Sequence, residues 1–117
     1  MSFSVELHDE FVVVRLPATL SLANAAAVRN QLERHIQDVS AELIVDLSGV
    51  EFIDSSGLAA LLSVCRAARA WGGDIVLAGP LPRVQALIEL TRLDDVVDVV
   101  ADIAEASARL SARREAA

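Results

Sequence analysis

Hydrophobic and polar positions follow two periods along the chain, one typical of strands and one typical of helices. Runs rich in valine, isoleucine, leucine and phenylalanine predict five strands, over residues 3–7, 11–16, 43–47, 74–78 and 96–99. Stretches with apolar residues three and four positions apart predict four helices, over residues 22–36, 56–71, 83–90 and 102–114. Strands joined by helices indicate an α/β fold with a mixed sheet and helices packed on it.

Turn and cap residues refine this outline near the beginning of the chain. The polar break His8-Asp9-Glu10 has hairpin length, so the first two strands should be antiparallel. Pro17 ends the second strand, and Ser21 is a suitable N-cap for a helix whose apolar face begins at Leu22. The continuous apolar run over 43–47 is typical of a strand covered on both faces, which predicts the central strand.

The most informative segment is 43–62, which reads LIVDLSGVEFIDSSGLAALL. A buried strand leads through a turn-rich loop to a helix start, where it delivers Asp54, two hydroxyls and a glycine. Free backbone N–H groups and the helix dipole favour an anion there, and a phosphate on Ser55 would gain about 1 kcal/mol from the dipole. From the local pattern alone, helix capping by Asp54 and Ser55 or Ser56 is the more common use of these residues.

Composition limits the classes of function. The 117 residues are 54% hydrophobic, enough for one core, which predicts a single domain over 1–117. Seventeen acidic residues against ten basic ones, all arginine, give a net charge of -7, which opposes direct binding to nucleic acid. No apolar run reaches the roughly 18 residues of a membrane-spanning helix, so no membrane insertion is expected.

The same composition disfavours metal and cofactor chemistry. His8, His35 and Cys65 are scattered without the spacing of a metal site, and one cysteine allows no intramolecular disulfide. The beginning of the chain shows no secretory signal, so the expected compartment is the cytoplasm. We therefore expect no metal and no cofactor.

Three segments together resemble the STAS domain of bacterial anti-sigma factor antagonists. They are LIVDLSGVEFIDSSGL at 43–58, WGGDIVLAG at 71–79 and VQALIELTRLDDVVDV at 84–99. The resemblance extends over essentially the whole chain. It implies the STAS fold, a mixed four- to five-stranded sheet with about four helices packed mainly on one face, and a protein without catalytic activity.

The resemblance also implies a phosphorylation switch. Unphosphorylated members of the family bind an anti-sigma factor that is also a serine kinase, and so release a sigma factor. The kinase modifies the serine after the aspartate, here Ser55, and a serine phosphatase reverses the modification. Ser56 is the second choice, because both hydroxyls flank the same helix start and physical chemistry alone does not choose between them.

The candidate partner-binding residues surround that helix start. On the helix, the face that is not buried should present Ala59, Ser63 and Arg66 beside Ser55, since residues three and four apart are neighbours. An alanine at position 59 has an equally good explanation in the general abundance of alanine in this chain. The full set of partner-binding candidates is Asp54, Ser55, Ser56, Gly57, Ala59, Ser63, Arg66, Thr19 and Ser21.

One stretch departs from the family pattern. Many of these antagonists carry acidic residues in a GELD-like loop after the second strand, whereas this chain has Ala18-Thr19-Leu20-Ser21. In the family that loop lies near the phosphorylation site and helps to contact the kinase. The absence of acids puts a standard partner in doubt. Thr19, Ser21 and Asn24 can still supply hydrogen bonds, but residues of these types are more often ordinary turn and cap residues.

Three other functions compete with this interpretation. STAS domains also serve in stress-signalling complexes and in lipid-transport ATPase assemblies, although the serine pair favours the switch. A serine hydrolase would need a base beside Ser55 and usually a GxSxG elbow, and neither is visible. Nucleotide binding has little support, because Gly72-Gly73 is better explained as a helix stop and the chain has no lysine.

Overall fold

The computed structural model of the protein describes residues 4–8 and 10–116. The strands within those ranges are Ser4–Leu7 (β1), Val12–Arg15 (β2), Thr19–Leu20 (β3), Glu42–Asp46 (β4), Phe52–Ile53 (β5), Asp74–Ala78 (β6) and Asp98–Val100 (β7). The helices are Ala25–Asp38 (α1), Ser55–Ala70 (α2), Pro82–Leu90 (α3) and Ile103–Ala116 (α4), with a short 3-10 turn at Leu93–Asp95.

Five strands form the main sheet, in the order β1-β2-β4-β6-β7. The hairpin pair β1 and β2 is antiparallel, and every other neighbouring pair is parallel. Strand β4 lies in the middle, with Leu43 opposite Val12 on one side and Ile75 on the other. The predicted mixed sheet, the antiparallel first pair and the central position of the 43–47 strand are all confirmed.

Alternation along the strands divides the core into two layers. Leu43 and Val45 of β4 face the side of the sheet covered by α1, α2 and α3. Ile44, between them, faces the opposite side, where Ala106 and Leu110 of α4 cover it. Three helices therefore pack on one face and one on the other, as the family resemblance implied.

The beginning of α1 differs from the sequence prediction. The helix begins at Ala25 with Asn24 as its N-cap, so the prediction of Ser21 as the cap was wrong. Leu22 is 80% exposed and contributes nothing to the apolar face of α1. The reason is a compact turn, in which the Asn24 side chain accepts from the Ser21 amide at 2.8 Å and donates to the Thr19 carbonyl at 2.7 Å.

Sequence periodicity also missed a second, two-stranded sheet. Strands β3 and β5 are parallel, with Thr19 opposite Phe52 and Leu20 opposite Ile53. Two residues are too short to show any period, and β5 lies in the segment predicted as loop. This pair brings the chain before α1 against the chain before α2.

The remaining boundaries shift by a few residues. Val96 lies between the 3-10 turn and β7, so the last strand begins at Asp98 instead. Helix α2 begins at Ser55, one residue before the prediction, and α4 reaches Ala116. The predicted contributions of Phe3 to the first strand and of Asp9 to the hairpin break lie outside the described residues.

Candidate functional site

Asp54 joins the two loops that meet at the start of α2. It has extended backbone geometry and caps the helix, since its Oδ1 accepts from the Gly57 amide at 3.0 Å. Its other oxygen, Oδ2, accepts from the Leu22 amide at 3.0 Å. The N–H donors of Gly57 and Leu22 favour the ionised form and lower the pKa of the Asp54 carboxyl. The predicted capping by Asp54 is thus confirmed, and the same carboxylate also holds the chain before α1.

Gly57 allows α2 to approach β3 closely. A Cβ at this position would lie 2.5 Å from the Leu20 carbonyl oxygen and 2.7 Å from Ile53 Cγ1. Those separations exclude any side chain without a backbone shift. The glycine of the DSSG block is therefore buried, and it sets the position of the two serines rather than reaching the surface itself.

The two serines open toward different grooves. Ser55 is the exposed first residue of α2 and lines a groove of about 260 Å³ between α2 and the 3-10 turn, together with Leu62, Arg92 and Val96. Ser56 is half-buried and lines a second groove of about 260 Å³, between α1 and α2. A phosphate on either hydroxyl would therefore face a different part of the surface.

Ala59 connects the two grooves. It is exposed and lines both of them, so it forms the ridge between Ser55 and Ser56. A methyl side chain at this position allows another backbone to approach closely. The structure therefore places Ala59 beside both serines, as the helical spacing predicted.

The two later residues of this helix face behave differently. Ser63 is half-buried and donates from its Oγ to Glu33 Oε2 of α1 at 2.8 Å, so its hydroxyl links the two helices. Arg66 is exposed, and no described carboxylate lies within ion-pair distance of it. Of the residues predicted on this helix face, Ser55, Ala59 and Arg66 are exposed.

The loop with the missing acids lies directly beside this helix start. The Leu20 carbonyl accepts from the Asp54 amide at 3.3 Å, and the Ala18 carbonyl accepts from the amides of Glu51 and Phe52. Thr19 is exposed and Ser21 is half-buried. The structure thus brings Thr19 and Ser21 near the serines, although they belong to a different element.

Sequence reasoning missed three residues of the site. Leu22 and Arg29 line the groove that contains Ser56, and Arg92 lines the groove that contains Ser55. The helical period assigned Leu22 to the apolar face of a helix, so its exposure was not predicted. Nothing local indicates that Arg92 lies near Ser55, because only the packing of the 3-10 turn against α2 brings them together.

The side-chain contacts of the two serine hydroxyls are few in the described part of the chain. Among residues 4–8 and 10–116, no histidine or carboxylate is hydrogen-bonded to the hydroxyl of Ser55 or Ser56. His8 instead stacks on Phe11, with ring centroids 4.7 Å apart. No group of histidine, cysteine and carboxylate residues in the described chain could hold a metal ion. Within the same residues, no helix is long and apolar enough to cross a bilayer.

The chain is similar to several known proteins of one kind. The chain is 26% identical to the anti-sigma F factor antagonist of Paenibacillus polymyxa over 100 residues, which cover 85% of this chain and 86% of that protein. The solved structure of the anti-sigma factor antagonist SpoIIAA in its unphosphorylated form matches with a TM-score of 0.80 and 26% identity, over 95% of this chain and 97% of that one. The phosphorylated form of SpoIIAA, a Bacillus cell fate determinant, matches with a TM-score of 0.71 and 26% identity, over 92% and 98% of the two chains.

A family model decides the classification. The model of the STAS domain matches residues 2–106, which include every strand of the main sheet, both serines and the first turn of α4. The mixed five-stranded sheet and the four helices agree with that match. The chain therefore belongs to the STAS domain family.

Proposed function

We propose that this protein is an anti-sigma factor antagonist that acts as a single cytoplasmic domain over 1–117. In its unphosphorylated state it binds an anti-sigma factor that is also a serine kinase, and so releases a sigma factor. Phosphorylation of Ser55 switches the protein off, and a serine phosphatase restores it. The observation that carries this proposal is the exposure of Ser55 at the start of α2, held there by Asp54.

Charge supplies the physical basis for the switch. A phosphoserine carries about -1.5 to -2 charges at neutral pH. At Ser55 this charge would lie beside the ionised Asp54, on a protein whose net charge is already -7. A partner that docks closely over this helix start would have to desolvate the phosphate, which is costly unless the partner supplies cations.

The relatives support the same behaviour. The Paenibacillus polymyxa relative is named an antagonist of the anti-sigma F factor. SpoIIAA has been solved in both an unphosphorylated and a phosphorylated form. A fold that is retained in both states fits a modification that changes the surface and not the architecture.

The test is phosphorylation by a purified anti-sigma factor kinase from the same organism, with ATP, of the wild-type chain and two variants. We expect label on the wild type and on Ser56→Ala, and none on Ser55→Ala. The two alanine variants form a matched pair, because the serines are adjacent and open the same helix. Label that persists in Ser55→Ala and disappears in Ser56→Ala would move the site to Ser56.

Binding provides a second readout. We expect Ser55→Ala to keep its affinity for the anti-sigma factor and Ser55→Glu to lose roughly tenfold or more, because a carboxylate reproduces part of the phosphate charge. Circular dichroism of both variants controls for folding. Equal affinity of the two variants would contradict a switch that acts through charge at this position.

A further inference from the structure

The arginines of this protein fall into two groups. Six of the ten form ion pairs with described carboxylates, namely Arg15, Arg69, Arg92, Arg109, Arg113 and Arg114. The other four have no described carboxylate within ion-pair distance, namely Arg29, Arg34, Arg66 and Arg83. Unpaired arginines are unexpected in this chain, because its carboxylates outnumber its arginines by seven.

Two of the unpaired arginines lie on the two helices that form the groove beside Ser56. Arg29 of α1 lines the groove that contains Ser56 and Ala59. Arg66 of α2 lies seven positions after Ala59, two turns further along the same helix face. We call the surface formed by Leu22, Arg29, Ser56, Ala59 and Arg66 the α1–α2 face.

Arg29 makes no ion pair with Glu33, the carboxylate one turn later on the same helix. Glu33 lies four residues later on α1, the spacing at which an ion pair commonly forms. Its Oε2 instead accepts from the Ser63 hydroxyl at 2.8 Å. The Arg29 guanidinium contacts the neutral Asn30 side chain at 3.2 Å, so its charge is not neutralised within the described chain.

The charge of this region differs in sign from that of the whole chain. Helices α1 and α2 carry four arginines against two carboxylates, on a protein of net charge -7. The adjoining stretch 18–21 has no acidic residue that could offset them. Leu22, 80% exposed, adds an apolar side chain at the rim of the same groove.

We infer that the α1–α2 face binds a carboxylate-bearing surface of the anti-sigma factor, whose aspartate or glutamate side chains pair with Arg29 and Arg66 while an apolar side chain covers Leu22. The inference rests on the proposed function and specifies its partner chemistry. Complementary charges across an interface raise the association rate and exclude wrong partners. Nucleic acid would present negative charge as well, but the net charge of the chain opposes it.

This assignment explains why one phosphate has a large effect. A phosphate at Ser55 adds nearly two negative charges beside Asp54, on the other side of the Ala59 ridge from the groove of Arg29. A partner that covers both grooves and carries carboxylates is then repelled by this phosphate and by the Asp54 carboxylate. Modification thus opposes the same partner that the arginines attract.

The first experiment needs no partner. The full-length ¹⁵N-labelled chain is titrated with a short polyglutamate peptide at low ionic strength, and the arginine Nε–H signals are followed. We expect Arg29 and Arg66 to shift more than Arg83, which is equally unpaired but lies on α3, and more than the six ion-paired arginines. In Ser55→Glu the shifts of Arg29 and Arg66 should diminish. Uniform shifts, or the largest shifts at Arg83, would overturn the inference.

The second experiment uses the purified anti-sigma factor kinase. The double variant Arg29→Glu with Arg66→Glu should bind at least about tenfold more weakly than the wild type, and Arg83→Glu should change binding less than about threefold. If the kinase labels Ser55 but binds the double variant as tightly as the wild type, the inference fails and the proposed function stands. If no such kinase binds or labels the wild type, the proposed function fails, and the peptide titration alone decides the charge preference of the face.

Discussion

Helix α4 and the α1–α2 face use arginine in opposite ways. On α4, Arg113 donates to Asp74 at 2.6 Å and also contacts Asp98, to which Arg109 donates at 3.1 Å. On the α1–α2 face, Arg29 and Arg66 meet no described carboxylate. The arginines of α4 attach this helix to the sheet, whereas those of the α1–α2 face are available to a partner.

The difference follows from how much apolar surface each helix buries. Helix α4 buries two residues, Ala106 and Leu110, so hydrophobic packing alone secures it weakly. Helix α2 buries seven residues, five of them in the larger core layer, so packing secures it more strongly, although its Arg69 also pairs with Asp74. A helix held by the core can therefore leave one arginine, Arg66, free for recognition, while a helix with a narrow apolar stripe uses its arginines for attachment.

The largest expected effect is at Gly57, where packing and not charge fixes α2. Gly57→Ala should lower the free energy of unfolding by about 2–3 kcal/mol, because the new methyl group would overlap the Leu20 carbonyl and Ile53. Gly49→Ala is the control, since nothing lies within 4 Å of a Cβ there. Urea denaturation measures both. Equal losses in the two variants would show that close approach to β3 is not what holds the helix.

A matched pair of substitutions tests the two uses of arginine directly. Arg113→Met should lower the free energy of unfolding by about 1–2 kcal/mol, because the partly buried Asp74 loses a charged partner. Arg66→Met should change it by less than about 0.5 kcal/mol, since no described ion pair is lost. Thermal and urea unfolding measure both changes.

In a binding assay the same two variants should rank the other way, with the larger loss in Arg66→Met. Arg113→Met is expected to leave affinity for the anti-sigma factor unchanged, because α4 covers the far face of the sheet. Arg66→Met is expected to weaken it, and more so at low salt. If one of the two variants showed the larger loss in both stability and binding, the distinction between attachment and recognition would be wrong.

Asp54 should give a pH-dependent contribution to stability at the helix start. In Asp54→Asn a single side-chain oxygen cannot accept from both Gly57 and Leu22 as the carboxylate does. Because folding lowers the pKa of the Asp54 carboxyl, the wild-type advantage is fully present above the ordinary value of 3.8. It is lost as the pH falls through the lower folded-state value. Unfolding of both proteins across acidic pH measures this, and a constant difference down to the lowest pH would contradict the role of ionisation.

The smallest effect concerns Arg92, which lines the Ser55 groove yet is ion-paired. Its backbone is left-handed, with φ of 60°, and its pair with Asp95 is highly exposed. Arg92→Gly should be more stable than Arg92→Ala by up to about 1 kcal/mol, because glycine adopts this conformation without a Cβ clash. Both variants lose the same ion pair, so the difference between their melting temperatures reports the effect of the left-handed backbone. Equal stabilities would show that this turn stores no strain.

The sequence predicted the main sheet and the longer helices well because their apolar periods extend over several turns or over whole strands. It failed where structure depends on two residues from distant segments. Strands β3 and β5 are two residues each and stabilise one another only after the fold has brought them together. The cap at Asn24 depends on bonds to Thr19 and Ser21 that no helical period reveals.

In the candidate site, too, the local features were predictable and the contacts between distant segments were not. The DSSG block located the helix start, and the spacing of Ala59 and Arg66 located its exposed face. The second role of Asp54, as acceptor for the Leu22 amide, was not predictable, because the two residues are distant in sequence. Nor was the engagement of Ser63 with Glu33, which required the relative position of α1 and α2.

The place of Ser55 as first residue of α2 has a consequence for any enzyme that modifies it. A kinase that binds its substrate as an extended peptide would have to unwind the first turn, release Gly57 from Asp54 and separate Leu20 from the helix. A kinase that docks on the folded domain meets the hydroxyl already presented. Substrate selection at this serine would then depend on three-dimensional shape, and a synthetic peptide with the same residues should be a poor substitute for the intact domain.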